Sequence, residues 1–425
     1  MAKVKLDEVD KIFGNDIIIP TKKSSKVSTY YDTGNYALNY IMSKNLRAGV
    51  AAGRITGFEG LGSTGKSLLA LSVLKDPKID LAILIESEGG GSSEELMEFA
   101  GVDLNKVRIL KAHTFSSYRI QKKTGKREAV ADKDLPAKKD TADYYYVEGA
   151  TSLVKKLVDT LTLSDSLSDK NIVIIMDSLA NMQSVRELSG TPDMGERAKD
   201  ISTFFRNFDN ALEKTNVAFI YTNKLYQNFG NVYDPYVAVG GENVFFNSSL
   251  ILRLSNTAES HDVTDAEKKA DKESRNTSIG SQFSTLKGFV RKSRFGTRFR
   301  TAHFVIDTQL GITRYSGLFK LLRDFDIIKG SGTWYSIPEL WGEKKFYKKD
   351  FITLLRENEE ENIDKLQKLL LEHEESIKVE KGLSMESGEV DNEIAEDLAE
   401  HNDEIDDLIP DNDDMINSVI RNEGL

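Results

Sequence analysis

The chain has 425 residues, 57 Lys plus Arg against 68 Asp plus Glu, a formal charge of −11, 39% hydrophobic residues and no cysteine. The lack of cysteine excludes disulfides, iron–sulfur clusters, Cys-ligated zinc and thiolate catalysis, and His113, His261, His303, His373 and His401 are too scattered to suggest a metal site. No apolar run approaches the roughly 20 residues of a membrane span, and the polar N-terminus lacks a signal-peptide pattern, so a cytoplasmic protein without a membrane partner is expected.

In chain order, residues 10–19 read on their own as an ordinary N-terminal helix. From residue 49 to 317, short apolar runs alternate with amphipathic stretches. Residues 55–58, 81–85, 172–176 and 217–222 read as buried strands of a mostly parallel, twisted sheet, with crossover helices between them. This is the pattern of an α/β fold. Two polar interruptions, 114–143 (locally basic) and 256–281, read as surface insertions or loops. Residues 318–379 form a small C-terminal region in which 351–377 is predicted as a helix, with Ile363, Leu366, Leu369 and Leu370 at helical spacing. Residues 380–425 hold 16 acidic residues against Lys381 and Arg421, so this segment carries −14 and the rest of the chain +3. With few apolar residues to offset the entropy of ordering, it reads as a disordered acidic tail. The negative total therefore does not exclude a nucleic-acid partner, because the body itself is slightly basic.

Gly60-Leu61-Gly62-Ser63-Thr64-Gly65-Lys66-Ser67 fits a phosphate-binding loop, with a strand before it and an apolar helix after it. Glycines let the backbone amides turn toward phosphates, Lys66 reaches the β and γ oxygens, and the Ser67 hydroxyl ligates magnesium. The cradle comprises Gly60, Gly62, Ser63, Thr64, Gly65, Lys66, Ser67 and Leu68, and the expected cofactors are ATP and Mg2+. Asp177 ends the run 172–176, where a central strand would turn it toward the nucleotide to hold magnesium through water. Glu86 and Glu88 follow the run 81–85, and either could act on the attacking water; period-two alternation puts both on one face and does not choose between them.

Taken together, GLGSTGKS, LIESEGG with AGVDLNKV, IVIIMDSLA, Tyr221-Thr222-Asn223-Lys224, VGGEN, and VRKSR with ITRYSGLFKLL resemble the RecA family of strand-exchange ATPases, most of all its UvsX-type phage recombinases. The resemblance spans residues 13–336. It implies a RecA-like ATPase core at 49–317 preceded by an N-terminal oligomerisation segment at 1–48, with Phe13 as the docking anchor. It also selects Glu88 as the base. Lys224 occupies the γ-phosphate-sensing position, where the family commonly carries Gln or His, so lysine is a departure; Asn223 beside it is expected to bind the nucleotide. No counterpart of the adenine-stacking aromatic follows Gly89-Gly90-Gly91.

A helix predicted over 194–212 has Ile201, Phe204, Phe205, Phe208, Ala211 and Leu212 on one face and Lys199, Ser202 and Arg206 on the other. A solvated helix face has the same pattern, but the family's matching helix binds the DNA backbone, which points to Arg197, Lys199 and Arg206. Residues 225–246 mix aromatics with glycines and match the family's second DNA loop, with Phe229 as a candidate base contact and Gly240 and Gly241 as its hinge. Over 288–300, Phe289, Phe295 and Phe299 alternate with Lys292, Arg294, Arg298 and Arg300, as in an edge strand protected by charge. By resemblance, Lys292 and Arg294 reach a neighbouring subunit's ATP. The expected activity is DNA-dependent ATP hydrolysis in a helical filament on single-stranded DNA. Such a filament pairs with homologous duplex DNA, exchanges strands, and works with a recombination mediator and a single-strand-binding protein in a cytoplasm, the host's if the chain is phage-encoded. A hexameric RecA-like helicase motor and a small-molecule P-loop kinase are the alternatives.

Overall fold

The computed structural model describes residues 27–87, 94–163, 170–213, 215–227, 236–257, 283–307 and 311–384. In chain order its strands are β1 (Tyr30–Tyr31), β2 (Val50–Ala51), β3 (Ile55–Gly60), β4 (Leu81–Glu86), β5 (Val107–Lys111), β6 (Tyr118–Gln121), β7 (Arg127–Ala129), β8 (Tyr144–Val147), β9 (Ile172–Asp177), β10 (Val217–Gln227), β11 (Tyr236–Ala238), β12 (Leu250–Asn256), β13 (Phe283–Ser293), β14 (Thr301–Asp307) and β15 (Gly311–Ile312). The helices are α1 (Tyr36–Ser43), α2 (Lys66–Ser72), α3 (Glu94–Ala100), α4 (Ala150–Leu163), α5 (Val185–Leu188), α6 (Glu196–Leu212), α7 (Gly241–Asn247), α8 (Leu318–Asp324), α9 (Pro338–Trp341), α10 (Phe351–Glu357) and α11 (Glu359–Ser384).

The four aliphatic runs become β3, β4, β9 and β10, and each extends one to five residues beyond its expected end. They lie in a ten-stranded sheet of order β15-β14-β13-β12-β3-β10-β9-β4-β5, with β11 paired to β10. The pairs from β12 through β5 are parallel, and β13, β14 and β15 close the other edge antiparallel. All six residues of β3 and of β9 are buried, as expected of parallel strands covered on both faces.

Alternation along these strands sends side chains into two cores. Phe58, Leu84, Val173, Ile175, Ile220 and Leu252 face α1, α2, α3 and the C-terminal helices. Ile55, Ile83, Ile174, Met176, Phe219 and Tyr221 face α4 and α6. In the second core Phe204, Phe208 and Phe219 pack with ring centroids 4.8 to 5.6 Å apart, so the apolar face read for residues 194–212 is the face that docks α6. Gly57 is needed beside Tyr221, since a Cβ there would lie 2.3 Å from the Tyr221 ring.

Three expectations about local structure change. The polar stretch 114–143 is not a bare loop, because β6, β7 and β8 form a separate three-stranded antiparallel sheet in the order β7-β6-β8. The alternation read over 288–300 stops at Ser293, where β13 ends. Positive φ at Gly296 and Phe299 turns the chain back, so Arg298 and Arg300 do not continue the Lys292 face. The C-terminal helix breaks at Asn358, then restarts at Glu359 and runs through Ser384, past the expected start of the tail.

The C-terminal helices share the first core rather than standing apart, with Phe351, Ile363, Leu366 and Leu370 in the same cluster as Tyr40 and Phe58. Polar ties reinforce the docking. Tyr36 and Tyr315 both donate to the Glu359 carboxylate, and Glu374 takes Lys44 at 2.8 Å and Arg300 at 2.7 Å. The predicted N-terminal helix at 10–19, with Phe13, and the stretch 258–282 lie outside the described residues.

Candidate nucleotide site and nucleic-acid interface

Parallel register decides which groups meet. Glu86 is opposite Asp177 across β4 and β9; one residue beyond the Tyr221–Met176 pair, the Thr222 hydroxyl donates to Asp177 Oδ1. On the other side of β10, Lys224 is opposite Gly60, where β3 enters the phosphate-loop sequence. These groups therefore share the carboxyl edge of adjacent parallel strands, the edge at which open α/β sheets bind ligands. Asp177 is buried and its peptide bond to Ser178 is cis.

The loop itself is tightly folded. Ser63 and Gly65 have positive φ, and Gly65 caps α2 in the left-handed region. A Cβ on Gly60 would come within 2.5 Å of Thr64 Oγ1 and 2.7 Å of the Leu254 carbonyl, while Gly62 faces open space. Lys66 is buried and its ammonium donates to the Leu61 carbonyl, inside the turn of the loop. Ser67 and Leu68 follow in the first turn of α2.

Of the two candidate carboxylates, Glu86 is buried at the end of β4, and Glu88 lies outside the described residues. Ser87, between them, exchanges hydrogen bonds with the Ser178 backbone, donating at 2.8 Å and accepting at 3.0 Å. That ties the ends of β4 and β9 together. Asn223 is buried and donates to the Val239 carbonyl at 2.8 Å, so it supports the β10–β11 ribbon, while Lys224 is half-buried beside it.

The second region expected to meet DNA starts from that ribbon. β10 runs on to Gln227 and pairs antiparallel with β11, Leu225 opposite Ala238 and Gln227 opposite Tyr236. The stretch read as a loop therefore has a two-stranded stem and a terminal helix, α7, which holds Phe245 and Phe246. Phe229 lies outside the described residues. Gly240 caps α7 at φ +92° and packs closely, since a Cβ there would meet Val244 at 2.3 Å and Ile201 of α6 at 3.2 Å; Gly241, at φ +62°, faces open space. On α6, Lys199 and Arg206 are exposed. Arg197 instead folds inward, donating to the Ala180 carbonyl with Glu187 at 3.8 Å. A cavity of about 450 Å³ between the strand ends and α5 is lined by Ser87, His113, Gln183, Glu187 and Arg197, among others.

Lys292 and Arg294 are brought together at the C-terminal end of α7. Lys292 donates to the Phe245 and Phe246 carbonyls, and Arg294 donates to the Phe246 carbonyl at 2.8 Å. Cations at a helix C-terminus satisfy its last carbonyls and oppose its dipole. Burial, followed by the charge of Arg294, lowers the Lys292 ammonium to about 8, against a smaller opposing effect of Asp209. Sequence reasoning missed two supporting features. Thr222 stands on Asp177, and Glu59, just before the loop, lies buried 3.8 Å from Arg253 and 3.7 Å from Arg291. A polar residue inside an apolar strand run marks both positions in the sequence but does not name the partner that each one meets.

No protein-family model matches the chain. It is 24% identical over 351 residues to Protein RecA of Aquifex aeolicus, covering 81% of this chain and 83% of that protein. With Protein RecA of Chlorobaculum tepidum it shares 25% over 341 residues, 78% of this chain and 81% of the relative. The chain is thus similar to RecA proteins over about four-fifths of its length. Protein RecA of Phytoplasma mali is 30% identical over a shorter stretch of 191 residues, 44% of this chain and 49% of its own. The RecA-like reading agrees with the α/β core and with a strand edge built from β3, β4, β9 and β10. No described helix is long and apolar enough to cross a membrane.

Proposed function

We propose that the chain is a DNA-dependent ATPase that assembles on single-stranded DNA as a helical filament and carries out homologous pairing and strand exchange, in the manner of UvsX-type phage recombinases. The observation that carries this reading is the meeting of the phosphate loop, Asp177 and Thr222 at one strand edge, in a chain similar to RecA proteins over about four-fifths of its length. The proposal includes 1–48 as the oligomerisation segment with Phe13 as anchor, 49–317 as the ATPase core, 318–379 as a small C-terminal region and 380–425 as an acidic tail. It also includes a cytoplasmic setting, with a mediator and a single-strand-binding protein as partners.

The residues fit a magnesium nucleotide. Gly60 keeps the loop's turn free of a side chain that would meet Thr64, Gly65 lets the loop pack closely on Ile306 and Leu286, Lys66 brings a cation, and Ser67 and Asp177 bring oxygen donors. When bound, magnesium would neutralise charge on the β and γ oxygens, with Ser67 as a ligand and Asp177 acting through water. Glu88 accepts a proton as water attacks the γ-phosphorus, the bond to the β–γ bridging oxygen breaks and ADP leaves, and Lys66 stabilises the charge that develops there. Lys292 and Arg294 of a neighbouring copy add positive charge, exchanging the α7 carbonyls for phosphate. Asn223 and Lys224 pass the state of the γ-phosphate to the β10–β11 ribbon. Lys199 and Arg206 of α6 take DNA phosphates, together with Phe229, Gly240 and Gly241 at the ribbon, and Arg197 joins them on releasing the Ala180 carbonyl.

Electron microscopy of the chain with single-stranded DNA and a non-hydrolysable ATP analogue tests this. Long helical filaments are expected. Closed rings would indicate a hexameric helicase motor, and dispersed monomers a small-molecule kinase.

A further inference from the structure

The inserted sheet leaves and rejoins the core at one point. Ala150 and Thr151 donate to the Thr114 and Phe115 carbonyls, and a Cβ on Gly149 would lie 2.4 Å from the Phe115 carbonyl. Beyond that root the chain has little to bury. One face of the sheet has Arg119 paired with Glu128 at 2.8 Å and stacked 4.4 Å from the Tyr144 ring. The other has Tyr118, Ile120, Arg127 and Tyr145, with Tyr145 49% exposed. Such a sheet adds nothing to either core, so its place on the molecule is informative.

Its placement is specific. Arg127 donates to the Leu188 carbonyl at 2.8 Å, Ser189 donates back to the Arg127 carbonyl at 3.3 Å, and Ser116 donates to Asp200 of α6 at 3.0 Å. The sheet is thereby held beside α5 and the N-terminal half of α6, the helix with the exposed Lys199 and Arg206. The β6–β7 turn places Lys122, Lys123 and Lys126, all exposed, within five residues. Lys122 pairs with Asp140 and Lys126 with Glu128, while Lys123 has no ion-pair partner among the described residues. Exposed pairs of this kind are screened by solvent and contribute little to stability, so they can be exchanged for phosphate.

We infer that the β6–β7 turn is a further DNA-contacting surface, in which Lys122, Lys123 and Lys126 take backbone phosphates of duplex DNA lying against the α6 side of the molecule. This rests on the recombinase reading. The turn offers point charges and no aromatic, so it contacts backbone rather than bases and is indifferent to sequence. Duplex is favoured over single strand because it carries about one charge per 1.7 Å of axis, which lets closely spaced lysines each find a phosphate.

The test uses the full chain with a non-hydrolysable ATP analogue, comparing it with the triple variant Lys122→Gln, Lys123→Gln, Lys126→Gln on random duplex and on single-stranded DNA from about 50 to 200 mM salt. The slope of log affinity against log salt is expected to fall by about 2 to 3 on duplex, with unchanged single-strand affinity and, in a separate assay with ATP in place of the analogue, unchanged single-strand-stimulated turnover. Identical duplex slopes for the two proteins would overturn the inference, and an equal loss on single strand would overturn the duplex assignment. If the unsubstituted chain bound no DNA of either kind, the recombinase reading itself would fail, an outcome distinct from the others.

Discussion

Burial and the nearby Arg294 lower the Lys292 ammonium to about 8, from an unfolded value of 10.5. Below pH 8 the group is cationic and its desolvation is a cost to the native state. As pH rises from 8 to 10.5 the unfolded chain binds the extra proton, so stability increases over that window while the cation needed at a phosphate disappears. Amine-directed acylation of Lys292, followed by mass spectrometry, should therefore show a midpoint near 8 that moves upward in Arg294→Ala; an unmoved midpoint would remove Arg294 as a cause. For hydrolysis, Glu88→Gln is expected to lower ATP turnover by about 10² or more while sparing ATP binding. Full turnover by that variant would reassign the base to Glu86. At this scale Lys66 and Ser67 were readable as parts of the contiguous phosphate-loop pattern, and Asp177 as the acid that ends an apolar strand run. Thr222 was not, since its role depends on the register of β10 against β9.

The elements show where packing overrode local pattern. Alternation over 288–300 suggested one long strand, yet positive φ at Gly296 and Phe299 ends β13 and reverses the chain. Helix α11 was legible from Ile363, Leu366 and Leu370, but its polar anchoring was not, because Tyr40, Lys44, Arg300 and Glu374 are far apart in sequence. Burial pushes the Glu374 carboxyl upward, but hydrogen bonds from Lys44 and Tyr40 and the charge of Arg300 outweigh it and hold the group below its ordinary 4.5. The stabilisation it provides is present above the unfolded value and lost as pH falls through the folded one. Glu374→Gln leaves Lys44 and Arg300 without their shared counter-charge and should cost about 2 kcal/mol. Urea unfolding at neutral pH measures this, and the gap between variant and parent should narrow as pH falls below the ordinary 4.5 and through the lower folded value.

Over the whole molecule, the charge of −11 divides into a body at +3 and a tail at −14. A tail of that charge competes with phosphates for the body's basic surface, an effect weakened by salt. Removing residues 380–425 should tighten duplex binding at low salt by about tenfold, with the difference vanishing near about 1 M salt; equal affinities at low salt would leave the tail a solubility device. The sequence by itself determined the α/β class, the buried parallel strands and the phosphate loop, because strand burial and loop geometry are written in short contiguous runs. Only the tertiary structure decided that Lys292 and Arg294 close the end of α7, that Thr222 stands on Asp177, and that a polar interruption folds as a sheet beside α6. Each depends on contacts between residues distant in the chain, for which local periodicity carries no information.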